Sequence, residues 1–308
     1  MARLLSMVER GGEPAHEIGR RVYPLGGRAY TVGITGAPGA GKSTLTNGLV
    51  GVIRAGGEQV AVLAVDPTSP FSGGAILGDR VRMSEHAMDP DVFIRSMATR
   101  GHLGGLALAT PEAVRVLDAV GMAWVLVETV GVGQVEVEVA AAADTTVVVV
   151  NPGWGDSVQA NKAGLLEVAD LFVINKADRP GAAETRRDLE GMLDLGAARG
   201  WRPLIVSMTA TTGEGRDDLW AAIGTHRLHL EADGRLQAKR ETRVREELRR
   251  IVTQRLRQRA DELLGTGRDQ LEAAVLARRL DPYSAADEVL RAASAASSRP
   301  RVGGARPG

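Results

Sequence analysis

The chain has 308 residues, 44% of them hydrophobic and 25% charged, with 38 basic side chains against 38 acidic ones. A net charge of zero supplies no global attraction to nucleic acid or to an anionic membrane. The absence of cysteine excludes disulfides, thiolate metal sites and cysteine nucleophiles. No apolar run approaches the ~20 residues of a membrane-spanning helix. Met1 to Arg21 mixes acids with bases and lacks an apolar signal core, so a cytoplasmic protein is expected. Only four of the basic residues are lysines, and three of these, Lys42, Lys162 and Lys176, fall in the segments singled out below.

Residues 1–27 predict a leading helical segment, with Leu4, Leu5 and Val8 on one side, followed by a turn at Gly11-Gly12. Seven short apolar runs then alternate with helical patterns. They are Tyr30–Thr35, Val60–Val65, Val92–Ile94, Trp124–Val127, Thr145–Val150, Leu171–Ile174 and Leu204–Val206. Short β-rich runs separated by helices predict an α/β fold with a mostly parallel sheet flanked by helices. That core is expected over residues 28–226. After His226 the pattern turns wholly helical. Leu236, Val244, Leu248, Ile251, Val252 and Leu256 form one stripe, Leu271, Val275, Leu276 and Leu280 a second, and Ala285–Ala295 a third short helix. A C-terminal helical extension is expected over 227–296, used for dimerisation, with a disordered tail at 297–308.

Gly36-Ala37-Pro38-Gly39-Ala40-Gly41-Lys42-Ser43 fits G-x-x-x-x-G-K-[ST] between a predicted strand and a predicted helix that begins with Thr44. In that context glycines let backbone N–H groups converge on phosphate oxygens. Lysine reaches the β- and γ-phosphates, and the serine hydroxyl suits Mg²⁺. Asn175-Lys176-Ala177-Asp178 follows the Leu171–Ile174 run, at the strand end where open α/β sheets bind ligands. A carboxylate there can accept two hydrogen bonds from guanine that adenine cannot offer. Thr209-Ala210-Thr211 follows the last run and suits a loop contacting the guanine carbonyl. Glu128, Gly131, Gly133 and Gln134 follow the Trp124–Val127 run. An acid at that position can hold Mg²⁺, and a glycine after it can present its N–H to the γ-phosphate. Asp66 ends a strand and Asp79 lies in a Gly-rich loop, both placed to add hard oxygen ligands.

Together these segments resemble the GTPases associated with methylmalonyl-CoA mutase, the MeaB- or ArgK-type family that includes the cobalamin type A protein. The resemblance rests on 33–44, on Val65-Asp-Pro-Thr-Ser-Pro, on 73–80 and on Ile94 through Gly105. It continues in Val127-Glu-Thr-Val-Gly-Val-Gly-Gln134, in 155–164 and in the Asn-Lys-Ala-Asp, and it covers residues 1–296. It implies a P-loop fold and a GTP/GDP- and Mg²⁺-dependent chaperone that gates adenosylcobalamin loading into a cobalamin-dependent acyl-CoA mutase and protects the mutase. It also implies a homodimer. By match to the family motifs, Ser43, Asp66, Asp79 and Glu128 would serve Mg²⁺. Lys42, Asp79, Glu128 and Gln134 would be catalytic, and Gly153–Lys162 would couple nucleotide state to the partner. Trp154, where a small residue is expected, departs from the pattern, and Thr209 stands where serine is usual.

Two other classes stay open at this stage. A kinase acting on a small substrate, in the ArgK-type description, would need an acceptor pocket and a base, and no residue suggests either. Metallocentre-assembly GTPases usually carry Cys/His motifs, which this cysteine-free chain lacks. The basic run Lys239–Arg259 could suit nucleic acid, but its apolar stripe predicts a packed helix with a solvated basic face. Neither nucleic acid nor a membrane is therefore expected as a partner.

Overall fold

The computed structural model describes residues 1–67, 84–86, 88–99, 105–129, 143–153, 167–195, 200–264 and 268–297. The chain divides into two compact units, Met1–Arg243 and Val244–Gly308.

The first unit is built on seven strands: β1 (Tyr30–Gly36), β2 (Val60–Pro67), β3 (Val92–Thr99), β4 (Trp124–Thr129), β5 (Thr145–Val150), β6 (Leu171–Asn175) and β7 (Leu204–Met208). They pair in the order β3-β2-β4-β1-β5-β6-β7, and every strand pair is parallel. β1 is central. The chain runs from β1 outward to β2 and β3, returns through β4 beside β1, and then crosses to β5, β6 and β7 on the other side. The carboxyl end of β1 is thus a topological switch point, where open α/β sheets bind ligands.

Strands buried on both faces read as continuous apolar runs, and successive residues serve opposite layers. Val32, Ile34, Val62, Leu126, Val147, Val149 and Val173 face one layer, against Leu45, Leu49 and Ile53 of α3 (Lys42–Ala55) and Leu219 and Ile223 of α6 (Arg216–Glu231). Leu63, Val65, Met97, Val125 and Val127 face the other. There they meet Leu5 and Val8 of α1 (Ala2–Arg10), Ile18 of α2 (Gly12–Val22), and Val116 and Leu117 of α4 (Gly105–Ala119). Val148, Val150, Phe172 and Ile174 complete that second layer with Leu189 of α5 (Ala182–Leu195). Two helices, not one, precede the sheet. Gly11, at φ 71°, ends α1 and begins α2 without a longer turn, a positive-φ backbone that glycine adopts without strain.

The N-terminal edge of the sheet, away from the strand ends just described, is tied by a buried polar network. Asp144, which precedes β5, is fully buried. It accepts hydrogen bonds from Thr31 N at 3.0 Å, from Arg240 at 2.6 and 3.1 Å, and from Arg243. Burial works to raise its pKa, but the Arg240 hydrogen bond and the Arg243 and Arg240 charges outweigh burial and hold the carboxyl below its usual range. Lys239 donates to Asp144 O at 2.7 Å and to Asp170 Oδ2 at 3.1 Å. These three cations open α7 (Arg235–Leu264), so this part of the basic run is engaged in ion pairs and is not the solvated face expected from composition.

His226 lies inside the same network. Its Nδ1 is 2.9 Å from Thr145 Oγ1 and its Nε2 is 3.4 Å from Asp170 Oδ1, while the Tyr30 hydroxyl is 2.7 Å from Thr145 Oγ1. One proton order satisfies the whole chain: Tyr30 donates to Thr145, Thr145 donates to Nδ1, and Nε2–H points at Asp170. Burial, with help from the Lys239 and His229 charges, pushes the imidazole down to about 4 against the opposing pull of Asp170. The folded chain therefore refuses a proton that the unfolded chain accepts near pH 6.5. Stability from this group is complete above pH 6.5 and is lost as pH falls towards 4. The loss amounts to about 3 kcal/mol, from a shift of roughly two and a half units at about 1.4 kcal/mol each. Urea unfolding at pH 7.5 and pH 5, read by tryptophan fluorescence, should show about 2 kcal/mol of that loss in the wild type, since pH 5 is still above the folded pKa, and a smaller loss in His226→Gln. An equal loss in both would remove His226 as its cause.

In the second unit, α7 continues to Leu264 and is followed by α8 (Arg268–Leu276) and α9 (Pro282–Ser297). Along α7, Val244, Leu248, Val252 and Leu256 are 42%, 62%, 48% and 66% exposed. Among the described residues no helix is long and apolar enough to cross a membrane.

Candidate nucleotide site

The glycine-rich loop joins β1 to α3 at the switch point. Gly36 ends β1 at φ 137°, where a Cβ would come within 2.1 Å of Val149 O on the neighbouring strand. Only glycine can hold the chain that close to β5. Gly39 and Gly41, at φ 73° and 91°, turn the loop back so that α3 starts at Lys42, and its first N–H groups carry the positive end of the helix dipole. The Lys42 ammonium arches over the loop, donating to Gly36 O at 2.5 Å and to Ala37 O at 3.0 Å. Its charge is thereby fixed above the backbone where phosphate oxygens would lie. Ala40 is buried and bonds Ala37 O through its N–H at 3.1 Å, closing a turn across Pro38. Thr44 is exposed on the first turn of α3.

Ser43 and Glu128 form the second part of the site. Glu128 sits on β4 between Ile34 of β1 and Ala64 of β2. The Ser43 hydroxyl donates to Glu128 Oε1 at 2.6 Å, and both residues are buried. An alcohol and a carboxylate held together at a helix N-terminus form a hard oxygen donor set that suits Mg²⁺. Among the described residues no group of three or more His, Cys, Asp or Glu side chains is arranged to hold a metal alone. Ser43 and Glu128 bring two oxygen donors together for such an ion. Asp66 lies at the carboxyl end of β2, level with Ala98 of β3. Asp79, Gly131 and Gln134, like Trp154, Gln159 and Lys162, lie outside the described residues.

The third part lies across the sheet at the end of β6. Asn175 is buried. It donates from Nδ2 to Ala40 O at 2.7 Å and accepts from Ala210 N at Oδ1 at 3.0 Å. One amide therefore joins the phosphate-side loop to the loop after β7. Gly41 makes this possible, because a Cβ there would stand 2.2 Å from Asn175 Nδ2. Lys176 has a left-handed backbone at φ 58°, a conformation that costs about 1–2 kcal/mol for a residue with a Cβ. The cost is met by Lys176 Nζ bonding Gly39 O at 2.7 Å and by Ala177 N bonding Met208 O at 3.1 Å. The turn delivers Asp178 to an exposed rim. The loop Thr209–Gly215 closes on itself through Thr209 N to Glu214 O and Gly213 N to Thr209 O. Thr209 is buried, Ala210 half-buried and Thr211 exposed.

The structure thus gathers the glycine-rich loop, Ser43, Glu128, Asn175, Lys176 and the Thr209–Thr211 loop at one sheet end. Two further features there are not evident from motifs. Thr35 and Thr129 join β1 to β4 through a 3.0 Å hydroxyl hydrogen bond beneath the loop. The amide bridge of Asn175 could be read only as one letter of a four-residue motif, since both its partners lie at least 35 residues away.

A family model described as "Methylmalonyl Co-A mutase-associated GTPase MeaB" matches residues 1–263. The chain belongs to the MeaB family of GTPases. It is 52% identical to a putative GTPase of Pyrococcus abyssi across 94% of this chain and 91% of that protein. It is 36% identical to the mouse protein named methylmalonic aciduria type A homolog, mitochondrial, across 85% of this chain and 65% of that one. Among solved structures it is similar to one described as LAO/AO transport system kinase. That match has a TM-score of 0.72 and 28% identity, covering 94% of this chain and 91% of the other. This MeaB-family chain therefore has the P-loop fold implied by the resemblance and the mostly parallel sheet expected from its strand pattern, wholly parallel among the described strands.

Proposed function

We propose that this MeaB-family protein binds GTP with Mg²⁺, hydrolyses it, and uses the difference between its GTP and GDP states to assist a cobalamin-dependent acyl-CoA mutase. The observation that carries the nucleotide part is the amide of Asn175. It joins the loop suited to phosphates and the loop suited to guanine into one bipartite site. In this reading Gly36–Thr44 surround the phosphates with backbone N–H groups, and Lys42 offsets the β- and γ-phosphate charge. Ser43, Glu128, Asp66 and Asp79 serve Mg²⁺, which supplies further charge neutralisation at the phosphates when bound. Asp178 accepts from the guanine edge, while Thr209, Ala210 and Thr211 present backbone N–H groups to its carbonyl. Gly131 would contact the γ-phosphate and Gln134 would orient water. Hydrolysis forms a bond from the water oxygen to the γ-phosphorus and breaks the bond from that phosphorus to the β–γ bridging oxygen. The products are GDP, inorganic phosphate and a proton.

The mutase partner is supported by the printed description of the family and by the name of the mouse relative. A partner can be driven only if it binds the two nucleotide states with different affinity. Phosphate release should therefore be slow for the purified chain and should accelerate on adding a cobalamin-dependent methylmalonyl-CoA mutase. Unchanged rates across candidate mutases would reject the partner while leaving the GTPase reading in place. A kinase is the second reading, favoured by the printed description of the solved relative. It predicts labelled γ-phosphate on a small acceptor in place of free phosphate, which the same assay resolves.

We also propose that the chain dimerises through its C-terminal helices. The support is the apolar face of α7, where four aliphatic side chains on successive turns are exposed and call for an apolar cover. Light scattering at micromolar concentration should return twice the 32.5 kDa chain mass. A monomer at that concentration would reject the dimer.

A further inference from the structure

α3 carries two interior glycines, Gly48 and Gly51. Glycine inside a helix destabilises it relative to alanine. The two positions differ in surroundings. A Cβ at Gly51 would meet only His86 Cε1, at 4.0 Å, whereas a Cβ at Gly48 would stand 3.3 Å from Arg216 Cδ and 3.9 Å from its Cγ. Gly48 therefore leaves a notch in α3 that the aliphatic stem of Arg216 fills. The other end of that side chain lies against the loop after β7, with one terminal nitrogen and Cζ 3.7 and 3.8 Å from where a Cβ of Gly213 would be. Arg216 N also bonds Gly213 O at 3.1 Å. Its Nε is buried without a hydrogen-bond partner, 3.6 Å from Asp217 Oδ1. The fit of the stem, rather than a hydrogen bond at Nε, keeps the side chain across α3.

The loop that suits guanine is thus held at both ends. At its start, Ala210 N is tied through Asn175 to Ala40. At its end, Gly213 is braced through Arg216 to α3, the helix that begins at Lys42. We propose that Arg216 is a positioning residue for the base-binding loop. Seated in the Gly48 notch, it fixes that loop relative to the phosphate-binding helix and sets affinity for guanine nucleotide without touching the phosphates. The proposal rests on the GTP reading above.

Steady-state GTP hydrolysis and GDP titration of four variants test it. Arg216→Ala should raise KM for GTP about five- to tenfold with kcat within about twofold, the pattern of lost uniform binding. Gly48→Ala should raise KM in the same direction, because the new methyl displaces the Arg216 stem, and should add nothing in the Arg216→Ala background. Gly51→Ala should behave as wild type. An unchanged KM in Arg216→Ala, a kcat loss as large as the kcat/KM loss, or additive effects of Gly48→Ala and Arg216→Ala would each overturn it. If Arg216→Ala does not fold, Gly48→Ala alone decides by its KM. A wild-type chain that binds no guanine nucleotide would sink the underlying reading instead, so the two failures are distinguishable.

Discussion

Lys42→Ala should lower GTP turnover by about 10²-fold or more, and Ser43→Ala by a similar factor, because phosphoryl transfer in such sites depends on positioning and charge stabilisation. The geometry gives each loss a separate cause. Lys42 is held above the loop by two backbone carbonyls of that same loop. Its removal takes away a positive charge already set in place and leaves the loop to its glycine-governed path. Ser43 contributes no charge. It pairs with Glu128 at 2.6 Å in a buried position, and without its hydroxyl the carboxylate loses a neighbour that would share a cation. Lys42→Ala should therefore fail at any Mg²⁺ concentration, while part of the Ser43→Ala loss should return as Mg²⁺ is raised. Phosphate release under single-turnover conditions checks both. Hydrolysis at the wild-type rate in either variant, with contaminating GTPase excluded by a mock preparation, would refute the corresponding role.

The second large effect is on base choice. Asp178→Asn should lose GTP and gain xanthosine triphosphate, whose base offers a carbonyl where guanine offers an amino group. The discrimination lost should be on the order of 2–4 kcal/mol, roughly 30- to 1000-fold. Asp178 stands on an exposed rim two residues beyond a left-handed lysine. Its place is set by the backbone turn and by the Ala177 N–Met208 O bond, so the isosteric amide should occupy the same position. The change would then be one of hydrogen-bond polarity alone. Isothermal titration with GTP, XTP and ATP measures it directly. ATP bound as tightly as GTP by the unmodified protein would end the guanine reading.

All seven strands fall where the apolar runs predict them, because a parallel sheet covered on both faces demands continuous Val, Ile and Leu. The run Thr145–Val150 could pack nowhere else. Strand ends were less legible. β3 reads as Val92–Ile94, yet it extends to Thr99, because Arg95, which breaks the apolar run, is accommodated at the sheet edge by Glu9, Ser6 and Ala2 of α1. That partner lies more than 80 residues away and cannot be seen in a local window. The same holds for Asp144 with Arg240 and Arg243. Separations near 100 residues hide a buried ion cluster inside what reads as a run of surface charge. At the nucleotide site the loop sequences announce their chemistry through glycine spacing and the lysine and serine that follow. The side chains joining those loops, Asn175 and Arg216, are legible only once β6 and α6 have a place beside β1 and α3.

The scarcity of lysine has a practical consequence for anyone who wishes to label this protein. Amine-directed acylating reagents need an unshared electron pair on a freely moving side chain. Among the described residues, Lys42 is bonded to Gly36 and Ala37, Lys176 to Gly39, and Lys239 to Asp144 and Asp170. The fourth lysine, Lys162, lies outside them. Each described lysine amine holds a loop or a sheet edge in place, so a fluorophore, crosslinker or resin attached there would first have to pull apart the contact it was meant to report on. Modification of Lys42 and Lys176 read by mass spectrometry becomes instead a footprint of the loop, slow while its carbonyls keep the amines and fast once they let go.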